Sequence, residues 1–187
     1  MKKKGVTKLG LTSVVGNAGE YLVMGELLRR GVIAGLTPRN APGFDIIATD
    51  GKTTVNLRVK TKNNAKKWRW NASSGDWRAN VFHGMMPKDY CVLVDLAGGG
   101  PPLFRIVPTR RLESQLKRSH KKWVETLGRH GKRHSRDNKM RTIHPGNDFL
   151  RRYPQNNWRE LGLRFQIRSS GQAASLAVAT RSGQEKA

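Results

Sequence analysis

The sequence predicts an α/β protein in which helices flank a small mixed central sheet. Two patterns carry that expectation. Four short segments rich in β-branched and aromatic residues, each bounded by Gly or Pro, read as strands. Longer stretches on either side repeat their apolar residues at helical spacing. The 187 residues suffice for one domain with a genuine core plus terminal extensions.

Residues 1–11 begin Met1-Lys2-Lys3-Lys4-Gly5, a basic arm too polar to pack. Residues 12–165 make up the single expected domain, and 166–187 a flexible tail dominated by Ser, Gly, Gln and Ala. A first helix runs from about Ser13, a capping residue, to Arg30, with Gly31 just past its end. Strands are expected at Phe44 to Thr49, Thr53 to Lys60, Tyr90 to Leu96 and Leu103 to Val107. The run Gly98-Gly99-Gly100-Pro101-Pro102 is a loop, since neither helix nor strand tolerates it. A second helix follows Pro108, with Leu112, Leu116, Trp123 and Leu127 as its apolar candidates. The basic stretch at about 128–145 has too few hydrophobic residues to order itself and is expected to be a loop. Phe149, Leu150, Tyr153, Trp158 and Leu161 offer apolar area to dock a last element on the sheet.

Lys and Arg number 36 against 13 Asp and Glu, a formal charge of +23. Such a chain repels itself unless a polyanion offsets the charge, and nucleic acid is the natural partner. No apolar run approaches the ~18 residues of a membrane-spanning helix, and no signal peptide is visible. The expected setting is therefore the cytoplasm, at the nucleoid, without a membrane partner. Cys91, the only cysteine, sits within Tyr90-Cys91-Val92-Leu93-Val94-Asp95-Leu96 and reads as a buried strand thiol, which excludes an intrachain disulfide or a cysteine zinc site.

The residues that carry chemistry are acids in apolar surroundings. At 100° per residue, Glu20 falls between Val23, Met24 and Leu27, whereas Glu26, Arg29 and Arg30 lie on the other side of the first helix. An ionised carboxylate there needs a cation, a metal or a wet cleft. A structural salt bridge is the plainest account of it. Asp45 is a lone acid early in a strand, framed by Phe44, Ile46 and Ile47. A two-residue loop at Gly51-Lys52 pairs residue 45 with Arg58, and a loop at Asp50-Gly51 pairs it with Asn56. Either register puts Asp45, Asn56, Arg58 and Lys60 on one face and Val55, Leu57 and Val59 on the other.

Taken in order, the helix around Glu20, the segment Gly43-Phe44-Asp45-Ile46-Ile47-Ala48 and the segment Leu57-Arg58-Val59-Lys60-Thr61 resemble the PD-(D/E)xK phosphodiesterase superfamily, which includes restriction enzymes and small Holliday junction resolvases. The resemblance covers about residues 5 to 107. It implies a restriction-endonuclease-like core, DNA as partner and Mg²⁺ or Mn²⁺ as cofactor. It also implies that Asp45 is the metal-binding acid, Glu20 an auxiliary ligand and Lys60 the cation beside the attacking water, which makes Glu20, Asp45 and Lys60 the catalytic set. Position 58 departs from the pattern. The family has an acid or Gln there, because the cation needs oxygen ligands, whereas a guanidinium only donates. Either Arg58 swings away and Asp45 with Glu20 holds a metal, or Arg58 pairs with Asp45 and the protein binds DNA without cutting it.

Cations and indoles at Lys66, Lys67, Trp68, Arg69 and Trp70 suit phosphate contact with stacking, and packing of Trp68 and Trp70 on a short strand is the equal alternative. Lys132, Arg133 and Arg136 in the basic stretch, with Arg58, complete the expected nucleic-acid contacts. His130 and His134 have the helical spacing of a zinc pair, but no acid completes a site, and like His120 and His144 they read better as phosphate contacts or plain loop. DNA is the expected partner, RNA or the ribosome the lesser one, and a homodimer is left open.

Overall fold

The computed structural model describes residues 11–38, 43–63, 66–128 and 131–166. Apart from Leu11 and Gln166, the expected basic arm and tail lie outside these residues, as does His130. Helix α1 (Leu11–Arg29) ends as its sequence suggests, with Gly31 at a φ of 77° that favours glycine. Then come β1 (Ile33–Leu36), β2 (Ile46–Thr49), β3 (Thr54–Lys62), β4 (Trp68–Asn71), β5 (Asp89–Asp95), β6 (Leu103–Pro108), α2 (Thr109–Glu125), β7 (Met140–Ile143), the short α3 (Asp148–Arg151) and a 3₁₀ turn at Trp158–Leu161. Strands β1-β2-β3-β5-β6 form a mixed sheet in that order, with β3 and β5 parallel and every other pair antiparallel. Strands β4 and β7 form a separate antiparallel ribbon.

The sheet is covered on both faces, which explains why Cys91, Val92, Leu93 and Val94 of β5 are all buried. One face packs Ile46, Val55, Leu57, Val92 and Ile106 against Val23 and Leu27 of α1 and against Trp158 and Leu161. The other packs Cys91, Leu93 and Val107 against Leu112 and Leu116 of α2, with Trp68, Phe82, Ile143 and Leu150. Helix α1 comes so close to β3 that a Cβ on Gly19 would run into the side chain of Thr61.

Three expectations change. Strands β1 and β7 were not foreseen, because four-residue strands give too short a pattern, whereas β4 is the short strand that the alternative reading of Trp68 and Trp70 expects. Trp123 lies in α2, but Leu127 lies beyond its end and is exposed. The basic stretch is partly built into the fold. Arg141 in β7 is only 1% exposed, and its guanidinium donates to the carbonyls of Ser74 (3.3 Å), Asp76 (2.7 Å) and Asn138 (3.0 Å). Ala72 N also donates to Lys139 O at 2.8 Å, and a Cβ on Gly75 would meet the backbone of Arg136 and Asp137. A charged side chain that finds carbonyl partners can anchor a segment whose composition alone looks unable to fold.

Candidate phosphodiester site and its basic surroundings

The β2–β3 hairpin decides the geometry. Asp50 N donates to Thr53 O (3.2 Å), and Ile46 pairs with Leu57, so the loop is Gly51-Lys52 and Asp45 stands across from Arg58. The Asp50 carboxylate fixes this turn by accepting from Lys52 N (2.8 Å), Thr53 N (2.7 Å) and Arg164 N (2.8 Å). Those bonds hold its pKa down at about 2.

Asp45 lies just before β2. Its backbone N donates to Leu57 O (2.8 Å) and its Oδ2 accepts from Val59 N (2.7 Å). The carboxylate thus takes the place that a strand carbonyl would occupy, at the level of the sheet. Burial raises its pKa, opposed by the Val59 hydrogen bond and then by the charges of Arg58 and Lys60. Burial, followed by the charge of Asp45, pushes the Cys91 thiol up to about 12, so this thiol is inert at neutral pH.

Arg58 turns away from Asp45. Its Nη2 donates to His83 O (3.0 Å) and lies 3.8 Å from Asp89, and its guanidinium sits over the Phe82 ring at 5.5 Å. Asp89 is 2% exposed and is itself held by Asn56 Nδ2 (3.0 Å) and Met86 N (2.9 Å). The segment bearing Phe82 and His83 is anchored from α2. Glu113, 4% exposed, accepts from Val81 N (3.1 Å) and Phe82 N (3.0 Å) and lies 3.6 Å from Lys117. Sequence reasoning missed this clamp. The signal was available, since Glu113 stands between Leu112 and Leu116 on the apolar side of α2, as Glu20 does on α1.

Alternate cations of β3 each rest on an aromatic ring: Arg58 on Phe82, Lys60 on Trp70 (5.9 Å) and Lys62 on Trp68 (5.2 Å). Lys62 is buried and ion-pairs with Asp95 at 2.5 Å. This ladder settles the two accounts of the indoles in favour of packing. Trp68 is buried with its Nε1 donating to Val94 O (3.1 Å), so it cannot stack on a base as expected. Arg58, with a side chain 14% exposed and directed inward, is likewise not displayed as a phosphate contact.

Glu20 is half-buried on α1. Because α1 packs on the Val55 and Leu57 face, Glu20 approaches β3 from the face opposite Arg58 and Lys60, with Asp45 between the two at sheet level. It therefore does not share their surface. Lys66, Arg69, Lys132, Arg133 and Arg136 are exposed. Lys67 is half-buried and lines a cavity of about 250 Å³ with Ser119, His120, Trp123 and Asn138. His134 stacks on Trp123 at 4.0 Å, and His120 stacks on it at 5.3 Å while touching Gly75 O at 3.3 Å, so both histidines serve packing. Among the described residues, no helix is long and apolar enough to cross a membrane.

No protein-family model matches this sequence, and no curated protein is similar to it at a significant level. Among solved structures, the chain is similar to Hjc, a Holliday junction resolvase from Archaeoglobus fulgidus, with 17% identity and a TM-score of 0.45 over 81% of this chain and 98% of that one. It is also similar to the bacterial homing endonuclease I-Ssp6803I, with 15% identity and a TM-score of 0.47 over 95% of this chain and all of the other. At these scores neither likeness says what this chain does. Its own side chains must.

Proposed function

We propose that this chain is a DNA-binding protein whose site around Asp45 and Lys60 hydrolyses DNA phosphodiester bonds with the help of Mg²⁺ or Mn²⁺. One observation carries the reading: the clamp of His83, Asp89 and Phe82 draws Arg58 off Asp45, leaving that carboxylate with a single hydrogen bond among the described residues. The donor set is sparse but fits a cation that keeps most of its waters and takes one or two carboxylates plus phosphate oxygens. Asp45, with Glu20 as the second acid, would hold it, and when bound it would polarise the phosphate and activate a water.

The chain's own residues do the rest. Val59 N fixes one oxygen of Asp45 and so orients the other. Trp70 holds the Lys60 ammonium, where its charge would stabilise the negative charge that develops on the phosphate. The exposed cations Lys66, Arg69, Lys132, Arg133 and Arg136 would position the DNA backbone.

A second reading, DNA binding without cleavage, is favoured by the positive charges of Arg58 and Lys60, both of which act on Asp45. The test is a cleavage and metal titration on branched, duplex and single-stranded DNA. The proposal expects cutting with Mg²⁺ or Mn²⁺ that chelator stops and that Asp45→Ala abolishes with little change in DNA affinity. It also expects Arg58→Glu, which adds an oxygen ligand, to bind metal more tightly and cut faster. If the folded wild type and Arg58→Glu neither bind metal nor cut any of these DNAs, the non-catalytic reading stands instead.

A further inference from the structure

Helix α2 carries Arg110, Arg111, Lys117, Arg118, Lys121 and Lys122 against two acids. Its buried side is formed by Thr109, Leu112, Glu113, Leu116 and His120. At 100° per residue the exposed cations Arg110, Arg111, Arg118, Lys121 and Lys122 gather on the opposite side in one stripe. Lys117, at its margin, turns inward to Asn80 Oδ1 at 2.6 Å. Of the two acids, Glu113 is buried and Glu125 lies 3.9 Å from Lys121. Arg110, Arg111, Arg118 and Lys122 have no carboxylate partner among the described residues.

Alone, this arrangement is unfavourable. Like charges three or four residues apart on a helix each cost a few tenths of a kcal/mol. Arg110 and Arg111 also stand at the positive end of the helix dipole, where the first turn holds no acid. Opposite a row of anions, attraction to the phosphates offsets these repulsions. Beside the stripe, between α2 and α3, lies a cleft of about 430 Å³ to which Arg118, Lys122 and Arg152 contribute. Its acid, Asp148, is paired with Arg151 at 3.2 Å. From Arg110 to Lys122 the stripe extends about 18 Å at ~1.5 Å per residue. Phosphates of one strand advance about 3.4 Å each along the duplex axis, so an equal length of axis carries about five per strand, of which those turned toward the stripe meet it.

We propose that the outer face of α2, with the adjoining cleft, is a second DNA surface separate from the Asp45 site, along which the backbone of a duplex runs. This deepens the DNA-binding reading above and rests on it. The test uses the full chain and a random-sequence 20-base-pair duplex, with dissociation constants measured across salt concentrations. The triple variant Arg118→Ala/Lys121→Ala/Lys122→Ala should lower the slope of log affinity against log salt by about 2.7, or 0.9 for each cation, and Arg118→Ala and Lys122→Ala singly by about 0.9 each. Between 50 and 200 mM salt the triple variant's fold-loss of affinity should be about 40 times smaller. The control Lys52→Ala/Arg159→Ala/Arg164→Ala removes as many exposed cations elsewhere and should change the slope by less than about 1. Melting curves establish that each variant is folded, and the singles decide the matter if the triple is not. An unchanged slope in folded stripe variants overturns the proposal, as does an equal loss in the control, or loss of affinity for an RNA hairpin with the duplex unaffected. If the wild type itself binds no duplex, the DNA-binding reading fails, and that result is distinct from the others.

Discussion

Replacing Glu113 by Ala tests whether α2 organises the site through the segment that holds Arg58. The buried carboxylate accepts hydrogen bonds from Val81 N and Phe82 N, and the second donor is buried. Hydrogen bonds to a charged group contribute ~1.5–3 kcal/mol each, and a buried donor left unpaired costs a similar amount. Val81 N is only partly buried and can rehydrate, so the expected loss is about 4 kcal/mol rather than the upper sum. For a chain of this length each kcal/mol moves the melting temperature by roughly 2–4 °C, so the variant should melt roughly 8–16 °C lower. Lys117→Met, which removes a partly exposed cation 3.6 Å from Glu113, should cost no more than about 1 kcal/mol. Thermal and urea melts followed by circular dichroism measure both. The same melts on Arg58→Ala and on the double variant should show coupling of about 0.5–3 kcal/mol, because Glu113 and Arg58 act through Phe82 and His83. A loss below about 1 kcal/mol for Glu113→Ala, or strict additivity with Arg58→Ala, would refute the clamp.

Three further outcomes are expected. The Asp50 pKa of about 2 lies below its unfolded value, so its contribution is complete above about pH 4 and is lost as pH falls toward 2. Acid melts should therefore cost the wild type more than Asp50→Asn over that range, and parallel curves would contradict this. Asp45 is shifted the other way, so its contribution is complete below the unfolded value and is lost as pH rises through the folded one. In chelator, Asp45→Asn should melt above wild type at pH 7 and level with it near pH 3; a lower melting point at pH 7 would show that the ionised carboxylate stabilises the fold. Gly19→Ala pushes a methyl into Thr61 and should cost ~1–3 kcal/mol, with Gly19→Ala/Thr61→Ala recovering part of it. Urea midpoints decide that comparison.

What the sequence revealed was local or periodic. Counting residues left two hairpin registers, both of which put Asp45, Arg58 and Lys60 on one face because they differ by two residues, and the pairing of Ile46 with Leu57 selects the one with Asp45 opposite Arg58. Gly31 marks the end of α1, and the apolar run in β5 marks a strand covered on both faces. What it hid depends on partners distant along the chain. Arg141 looks like one more cation in a basic stretch until Ser74 and Asp76 supply carbonyls. Trp68 looks like a stacking platform until Val94 O takes its indole N–H. The face occupied by Glu20 follows from which side of the sheet α1 covers, and a helical wheel carries no such information. The direction of Arg58 was left open between two outcomes, because His83 and Asp89 lie far along the chain from it.

The cation-on-ring ladder of β3 has a mechanical consequence. Trp70 touches Lys60 and Trp68 touches Lys62, and both indoles belong to β4, whose partner β7 continues directly from the segment bearing Lys132, Arg133 and Arg136. The ribbon is thus a gauge of fixed length between the basic segment and the central strand. On the proposed function, a DNA backbone held at the basic segment would be measured against Lys60, so the ribbon's geometry would select which phosphate arrives there before any base is read.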